Sequence, residues 1–200
     1  MKFARSGFVA DIYNGNLIYS GGRIPDFGFH NALEVYDFHN KPFVHSSHTI
    51  FRRAYAAGEI IDSNLFVFGG YTLEPAQPVV FKYNIPQGKM ESSLDTSISP
   101  TDFPIDQMIA RFDDNLYLFG GSIHTISSLI FKYSTSIGSY IPIDSRLESA
   151  RAGGSTVKPG ENIIMLIGGY NEVNNALSST EIVIKTGEQF TGASGPALNI

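Results

Sequence analysis

Four short apolar segments, each ending on a pair of glycines, recur along this sequence at almost constant intervals. They read NLIYSGG (16–22), NLFVFGG (64–70), NLYLFGG (115–121) and NIIMLIGG (162–169). The second glycines, Gly22, Gly70, Gly121 and Gly169, are separated by 48, 51 and 48 residues. A period near 50 is too long for helical repeats and is typical of a four-stranded propeller blade. The spacing therefore restricts the chain to a repeat architecture.

Other features recur in register with the glycines. In the first, second and fourth copies an arginine precedes the asparagine that opens the apolar segment: Arg5, Arg53 and Arg151. In the third copy Pro104 stands at this position. After a variable loop comes a second apolar segment that carries Tyr36, Tyr83, Tyr133 or, in the last copy, Val183. Seven residues later stands a bulky side chain: Phe43, Met90, Tyr140 or Phe190. Each repeat is therefore predicted to form four strands.

The predicted strands are apolar at successive positions, which is typical of strands buried on both faces. A radial stack of small sheets buries strands in this way, because each blade packs between two neighbours. The glycine pairs then have a structural explanation. A side chain there would point into the crowded contact between blades, and glycine permits the backbone angles needed where the strand bends. The structural candidates are Gly21, Gly22, Gly69, Gly70, Gly120, Gly121, Gly168 and Gly169.

Composition narrows the functional classes. The net charge is −5 without a basic stripe, which argues against nucleic acid as a partner. The chain has no cysteine, so disulfides and thiolate metal sites are excluded. No apolar run reaches the length of a signal peptide or a membrane span. We expect a cytoplasmic protein that does not interact with membranes.

The whole set of features resembles the kelch repeat. In that family each blade has an arginine, an apolar strand closed by Gly-Gly, a tyrosine on the next strand and an aromatic residue on the last. The last aromatic is usually tryptophan, and this chain has none. Its replacements, Phe43, Met90, Tyr140 and Phe190, keep bulk but lose the indole donor. The resemblance implies an all-β, kelch-type β-propeller with four four-stranded blades.

The predicted organisation is a single domain over residues 1–200. Its blades are expected at 4–50, 51–100, 101–148 and 149–192, followed by a link toward a next blade at 193–200. Kelch propellers more often have six or so blades, so we expect part of a larger six- or seven-bladed ring rather than a closed ring of four. An open array would expose apolar blade faces, and self-association of two halves is one way to cover them.

The loops after the glycine pairs are the predicted contact surface, because loops on a rigid scaffold carry recognition. They span 23–32, 71–78, 122–128 and 170–179. The candidate partner-binding residues in them are Arg23, Phe27, His30, Tyr71, Glu74, His124, Tyr170 and Asn171. The repeat arginines Arg5, Arg53 and Arg151 are assigned a structural role instead, since a feature copied once per blade holds blades together.

No catalytic motif is recognisable, and no cofactor is predicted. Asp37, His39, His45 and His48 have metal-ligand chemistry, but strand alternation places His45 and His48 on opposite faces, so no metal site is expected. The resemblance favours a non-catalytic module, a scaffold or adaptor, that binds another protein. The alternative is an enzyme or small-ligand-binding propeller of the galactose-oxidase-like or epimerase-like kind. Copper chemistry of the first kind needs a cysteine-linked tyrosine, which this chain cannot form.

Overall fold

A computed structural model describes residues 4–39, 43–48, 51–74, 78–91, 103–172 and 175–199, with only the backbone described for 43–48. In these ranges every regular element is a β-strand, which confirms the predicted all-β class. They contain no helix that is long and apolar enough to cross a membrane. The chain forms two compact units, Met1–Phe103 and Pro104–Ile200, and each contains two four-stranded antiparallel sheets, called blades here.

The first unit holds blades 1 and 2. Blade 1 comprises β1 (Val9–Tyr13), β2 (Asn16–Ser20), β5 (Ala32–Tyr36) and β6 (Phe43–His48). Between β2 and β5 the loop forms a small hairpin, β3 (Arg23–Ile24) and β4 (Gly28–Phe29). Blade 2 comprises β7 (Ala57–Ile61), β8 (Asn64–Phe68), β9 (Val80–Asn84) and β10 (Lys89–Glu91). Each strand pairs with the next strand of its blade.

The second unit holds blades 3 and 4. Blade 3 comprises β11 (Met108–Phe112), β12 (Asn115–Phe119), β13 (Leu129–Ser134) and β14 (Ser139–Arg146). Blade 4 comprises β15 (Ser155–Gly160), β16 (Ile163–Ile167), β17 (Thr180–Thr186) and β18 (Gln189–Ser194). The predicted four strands per repeat, with the second ending at the glycine pair, are thus confirmed in all four blades.

The outer hairpin of a blade, formed by its third and fourth strands, brings two of the repeated residues together. In blades 1 to 3 the tyrosine of the third strand lies opposite the bulky residue of the fourth: Tyr36 and Phe43, Tyr83 and Met90, Tyr133 and Tyr140. Blade 4 differs. Its hairpin closes through a shorter turn, with Thr186 opposite Gln189, so Phe190 lies opposite Lys185. Residues 183 and 185 point to the same face because side chains alternate, so Phe190 still reaches the interior.

Each unit has its core between its two blades. In the first unit Val9, Ile18 and Leu33 of blade 1 pack with Leu65 and Phe81 of blade 2. In the second unit Phe190 of blade 4 makes edge-to-face contacts with three blade 3 rings, at centroid distances of 5.0–5.7 Å: Phe112, Tyr117 and Phe119. Edge-to-face aromatic pairs contribute about 0.5–1.5 kcal/mol each beyond the area they bury.

The glycine pairs lie where the backbone of a neighbouring segment comes closest. Gly21 has φ of 71°, and a Cβ atom there would lie 2.6 Å from the carbonyl oxygen of Arg53, which leads into blade 2. At the second glycine the amide of Gly22 donates to that same carbonyl at 2.8 Å. The second unit repeats the arrangement, with the Gly121 amide donating to the Arg151 carbonyl at 3.0 Å. Both predicted requirements, space and a left-handed backbone, are therefore met here.

An isolated antiparallel β-bridge follows each glycine pair. The residue after the second glycine exchanges both backbone hydrogen bonds with the residue after the repeat arginine position: Arg23 with Ser6, Tyr71 with Ala54, Ser122 with Ile105 and Tyr170 with Ala152. This bridge fixes the first residue of every loop to the start of its own blade. The loop bases are consequently rigid, although the loop sequences vary.

Replacement of Gly21 by alanine tests the close approach. Gly21→Ala should lower the free energy of unfolding by about 3 kcal/mol, because left-handed strain of about 1–2 kcal/mol adds to a backbone clash. Gly15→Ala is the matched control, since Gly15 has φ of 73° but nothing within 4 Å of an added Cβ, so strain alone should remain. Denaturant unfolding of both variants gives the comparison. Equal losses would show that the Arg53 carbonyl does not restrict position 21.

Candidate functional site

The repeat arginines are buried, and their side chains return to the glycine pair of their own blade. Arg53 Nη1 donates to the Gly69 carbonyl at 2.6 Å, and its Nη2 donates to the Pro78 carbonyl at 2.6 Å. Arg5 and Arg151 reach the Gly21 and Gly168 carbonyls at 3.1 and 3.3 Å. In each case the side chain satisfies the carbonyl of the glycine that directly follows the second strand of the blade. The guanidinium groups are directed into their own blades and away from the loop surface.

Blade 3 lacks the arginine, and the side chain of Gln107, from a later position in the sequence, makes the equivalent contact. Its Nε2 donates to the Gly120 carbonyl at 3.3 Å, and its Oε1 accepts the hydroxyl of Tyr140 at 3.2 Å. Gln107 lies three residues after Pro104 and is buried. Burial raises the pKa of Tyr140 above its ordinary value, so the phenol remains a donor. The glutamine therefore provides the neutral equivalent of the arginine contact.

Two buried carboxylates face repeat arginines. Glu34 Oε1 lies 2.9 Å from Arg5 Nη2, and Glu181 Oε2 lies 3.5 Å from Arg151 Nη2. Glu181 also accepts the amides of Glu148 and Ser149, at 2.8 and 3.4 Å, from the link that leaves blade 3. Burial raises the pKa of the Glu181 carboxyl, and the hydrogen bonds and Arg151 oppose that rise. Sequence reasoning missed both carboxylates.

In the first unit, two of the predicted loop residues line one cavity of about 500 Å³: Arg23 and Tyr71. Phe29, Tyr55 and Leu73 complete its wall, and Phe29 and Tyr71 meet edge to face at 5.5 Å. Tyr71 and Leu73 are 52% and 70% exposed, which is high for large apolar side chains. The cavity is thus an aromatic and aliphatic hollow with a single cationic side chain at its edge.

Tyr55 enters this cavity from a strained backbone. Its φ is 62°, a conformation that a bulky residue rarely adopts. Its amide donates to the Gly7 carbonyl at 2.7 Å, and its ring covers Gly7 so closely that a Cβ there would lie 2.7 Å from it. Strain of this kind persists only where the surroundings impose it, and it concentrates at functional sites.

The second unit has a cavity of the same size, about 500 Å³, at the equivalent place after its glycine pairs. Its wall contains the predicted residues His124 and Tyr170 together with polar neighbours: Ser122, Thr125 and Glu172. The Tyr170 hydroxyl donates to Asp106 Oδ2 at 2.7 Å, and its ring lies over Gly153. This cavity therefore offers hydroxyl, imidazole and carboxylate groups where the first offers rings.

Asp106 supports the second cavity from behind. It occupies the same repeat position as Tyr55 and has φ of 54°, and its carbonyl accepts the Gly153 amide at 2.8 Å. Burial raises the pKa of the Asp106 carboxyl, and the hydrogen bond from Tyr170 partly opposes the rise. The Tyr170 hydroxyl is therefore held in one orientation by a carboxyl that gains a proton more readily than an exposed aspartate.

The other predicted loop residues are distributed differently. Phe27 is 83% exposed at the turn of the β3–β4 hairpin. His30 faces inward, where its Nδ1 accepts the Ala32 amide at 3.0 Å and lies 3.2 Å from Arg5 Nη1. Glu74 is exposed, and its amide donates to Thr72 Oγ1. The Asn171 amide donates to the Asn175 carbonyl at 3.4 Å. None of these four lines either cavity.

Within the described ranges no three histidine, aspartate or glutamate side chains come together as a metal site would require. Asp37 Oδ1 instead accepts the amide of His39 at 2.7 Å in a local turn. His45 and His48 belong to β6, and their side chains lie outside the described part of the structure.

Comparison with known proteins supports the fold. No protein-family model matches the sequence, and no curated protein matches it. A solved propeller titled "Structure of YjhT" superposes with a TM-score of 0.78 at 15% sequence identity. The match covers 97% of this chain and 65% of the other. The chain is thus a β-propeller by fold, and it spans about two thirds of the length of that structure.

The role of the Asp106 carboxyl can be tested through pH. Because its pKa is raised in the folded state, the folded chain loses stability as pH rises from the ordinary aspartate value through the raised one. Asp106→Asn keeps an acceptor for Tyr170 and removes this loss, so its melting temperature should exceed that of the wild type more at pH 7 than at pH 4. Asp113→Asn, an exposed turn residue with φ of 53°, is the control. An identical difference at both pH values would contradict the assignment.

Proposed function

We propose that this chain is a non-catalytic interaction module of the kelch type that binds another protein through the loops after its glycine pairs. The observation that carries the proposal is the apolar cavity of the first unit. Large exposed apolar side chains on a rigid support are typical of binding surfaces. Aromatic residues and arginine are also enriched where interfaces have their strongest contacts.

The side chains around this cavity suit a protein partner. Tyr71 and Leu73 of its wall are 52% and 70% exposed, and Phe27, on the turn of the β3–β4 hairpin, is 83% exposed. Burial of each fully covered side chain would contribute about 1.5–3 kcal/mol. Among the described residues no carboxylate pairs with Arg23, so its guanidinium is available to a partner. The bridges from Arg23 to Ser6 and from Tyr71 to Ala54 hold the loop bases, which lowers the entropy lost on binding.

The kelch assignment rests on how the repeated residues are used. The side chain of the repeat arginine donates to the first glycine's carbonyl, and the amide of the second glycine donates to a carbonyl of the segment that leads into the next blade. The tyrosine of the third strand lies opposite the bulky residue of the fourth. These are the positions that carried the resemblance in the sequence. The non-catalytic part of the proposal rests on a cavity wall that is mainly rings and aliphatic groups, with no carboxylate or imidazole among its described side chains.

Two substitutions in this cavity test whether a partner binds there specifically rather than through nonspecific hydrophobic contact. Leu73→Asp combined with Tyr71→Ala should weaken an identified protein partner at least tenfold, since truncated anchor residues cost about 2 kcal/mol or more. Partners would be captured from cell extract with the wild-type chain and quantified by titration calorimetry. Ile137→Asp, which alters a 77% exposed side chain on a blade 3 turn, is the control. Equal binding by all three proteins would refute the proposal.

The polar cavity of the second unit supports a second candidate function, the binding of a small polar ligand. The observation in its favour is the fixed Tyr170 hydroxyl beside His124 and Glu172, because a few convergent polar groups orient a small ligand in a cavity.

A thermal-shift screen with small hydroxylated and amine compounds tests this alternative. A binder of the second cavity should raise the melting temperature of the wild type and lose affinity in His124→Ala, an exposed residue whose removal should leave the fold intact. The Leu73→Asp, Tyr71→Ala chain is the control and should bind such a compound normally. If no compound stabilises the chain, the small-ligand candidate fails and the protein-binding proposal stands unaffected.

A further inference from the structure

Among the described residues, Arg23 is the one charged side chain in the wall of the apolar cavity of the first unit. It lies opposite Phe29 in the β3–β4 hairpin, and residues that pair directly across two strands have their side chains on the same face. The Arg23 backbone also exchanges two hydrogen bonds with Ser6, at 2.8 and 3.1 Å. The base of the Arg23 side chain is therefore fixed beside the side chain of Phe29.

The rest of the wall suits a large apolar group. Phe29 and Tyr71 meet edge to face at 5.5 Å, and Tyr55 and Leu73 extend the apolar surface. A volume of about 500 Å³ lies within the range of sites that enclose a small ligand, so it holds one or two side chains of a partner rather than a whole folded element. A further aromatic ring placed there would gain the edge-to-face or stacked contacts that rings favour. The cavity therefore favours an aromatic or large aliphatic anchor.

A partner that fills this cavity also removes water from Arg23. The guanidinium group has five N–H donors, and burying them without acceptors costs free energy. The buried repeat arginines have such acceptors: Arg5 has the carboxylate of Glu34 at 2.9 Å, and Arg53 has the Gly69 carbonyl at 2.6 Å. Among the described residues no group accepts a hydrogen bond from the Arg23 side chain. The acceptors for Arg23 must therefore come from the partner.

A carboxylate is the acceptor that fits a guanidinium group best. It takes two parallel N–H donors at once, and such charge-assisted hydrogen bonds are shorter and stronger than those to a neutral carbonyl. The chain carries a net charge of −5, so an acidic partner gains nothing from the overall charge. Asp26 and Glu74 of the same two loops are exposed, which disfavours a run of acidic residues. A single carboxylate beside the apolar anchor matches this arrangement.

We propose that the protein partner binds this cavity through a segment in which a large apolar side chain stands within two positions of a single Asp or Glu. The apolar side chain packs against the rings of Phe29 and Tyr71, and the carboxylate pairs with Arg23. Because Arg23 and Phe29 lie directly opposite each other, the two groups of the partner must be equally close, which sets the spacing. This inference rests on the proposed protein-binding function and adds the chemistry of the recognised segment.

Selection of random short peptides on phage, with the whole chain immobilised, identifies the recognised segment. Peptides that bind should carry Trp, Phe or Leu with one Asp or Glu within two positions. The Arg23→Gln chain should still select the apolar residue and lose the acidic one. Arg146→Gln is the matched control, since it removes the same charge from an exposed arginine outside the cavity wall. Apolar peptides without an acidic residue would overturn this inference and leave the protein-binding proposal standing, whereas selection of no peptide would count against both.

Fluorescence anisotropy measures the size of the effect, because the chain has no tryptophan and indole emission comes from the peptide alone. The probe is a selected peptide with Trp as its anchor, made in one form with the acidic residue and in another with Gln in its place. Arg23→Gln should weaken the acidic form about fivefold, the scale of an ion pair at a surface, and leave the Gln form unchanged. An equal loss for both forms would show that Arg23 supports the shape of the cavity instead, and would overturn the inference.

Discussion

The close approach of one blade's leading segment to the glycine pair of the blade before it is the contact on which the rest of the structure depends. The Arg53 carbonyl accepts the Gly22 amide, and the Arg151 carbonyl accepts the Gly121 amide. The same arginines turn their side chains back to the glycine carbonyls of their own blades. One residue therefore joins two blades through its backbone and closes a strand through its side chain. A Cβ atom at the first glycine would break the first of these contacts.

The fold could be predicted from the sequence because this contact leaves a trace in residue type. Glycine alone fits at the pair, and three of the four arginine positions are filled, so both recur at a readable period. The exception in blade 3 could not be interpreted in the same way. Gln107 stands three residues after the expected position, and only the folded chain shows that its amide reaches the Gly120 carbonyl. The shorter turn of blade 4 is similar, since Phe190 keeps its sequence spacing but pairs with Lys185.

Only some of the residues that form the candidate cavities could be predicted from the sequence. Arg23, Tyr71, His124 and Tyr170 could be chosen because they follow the glycine pairs in loops of variable sequence. Tyr55 and Asp106 could not, because nothing in a tyrosine indicates a left-handed backbone; that conformation is imposed by the bond between equivalent positions of adjacent blades. His30 shows the opposite case. It lies in a loop, yet its ring completes the environment of Arg5. Position after a glycine pair thus indicates a cavity, and loop membership alone does not.

The second partner of each repeat arginine explains why the blades are not interchangeable. In blades 1 and 4 it is a carboxylate, Glu34 or Glu181, whereas blade 2 has Phe81, whose ring centroid lies 5.0 Å from Arg53 Cζ. Without a carboxylate beside it, burial lowers the pKa of Arg53 to about 10. A buried ion pair is rarely more stabilising than well-packed apolar groups, so stability does not account for the glutamates. What the carboxylate adds is an acceptor for backbone amides, and Glu181 uses it to fix the link that arrives from blade 3. Glu181 thus determines where the link from blade 3 binds, and a phenylalanine side chain at the same position offers no acceptor for such a contact.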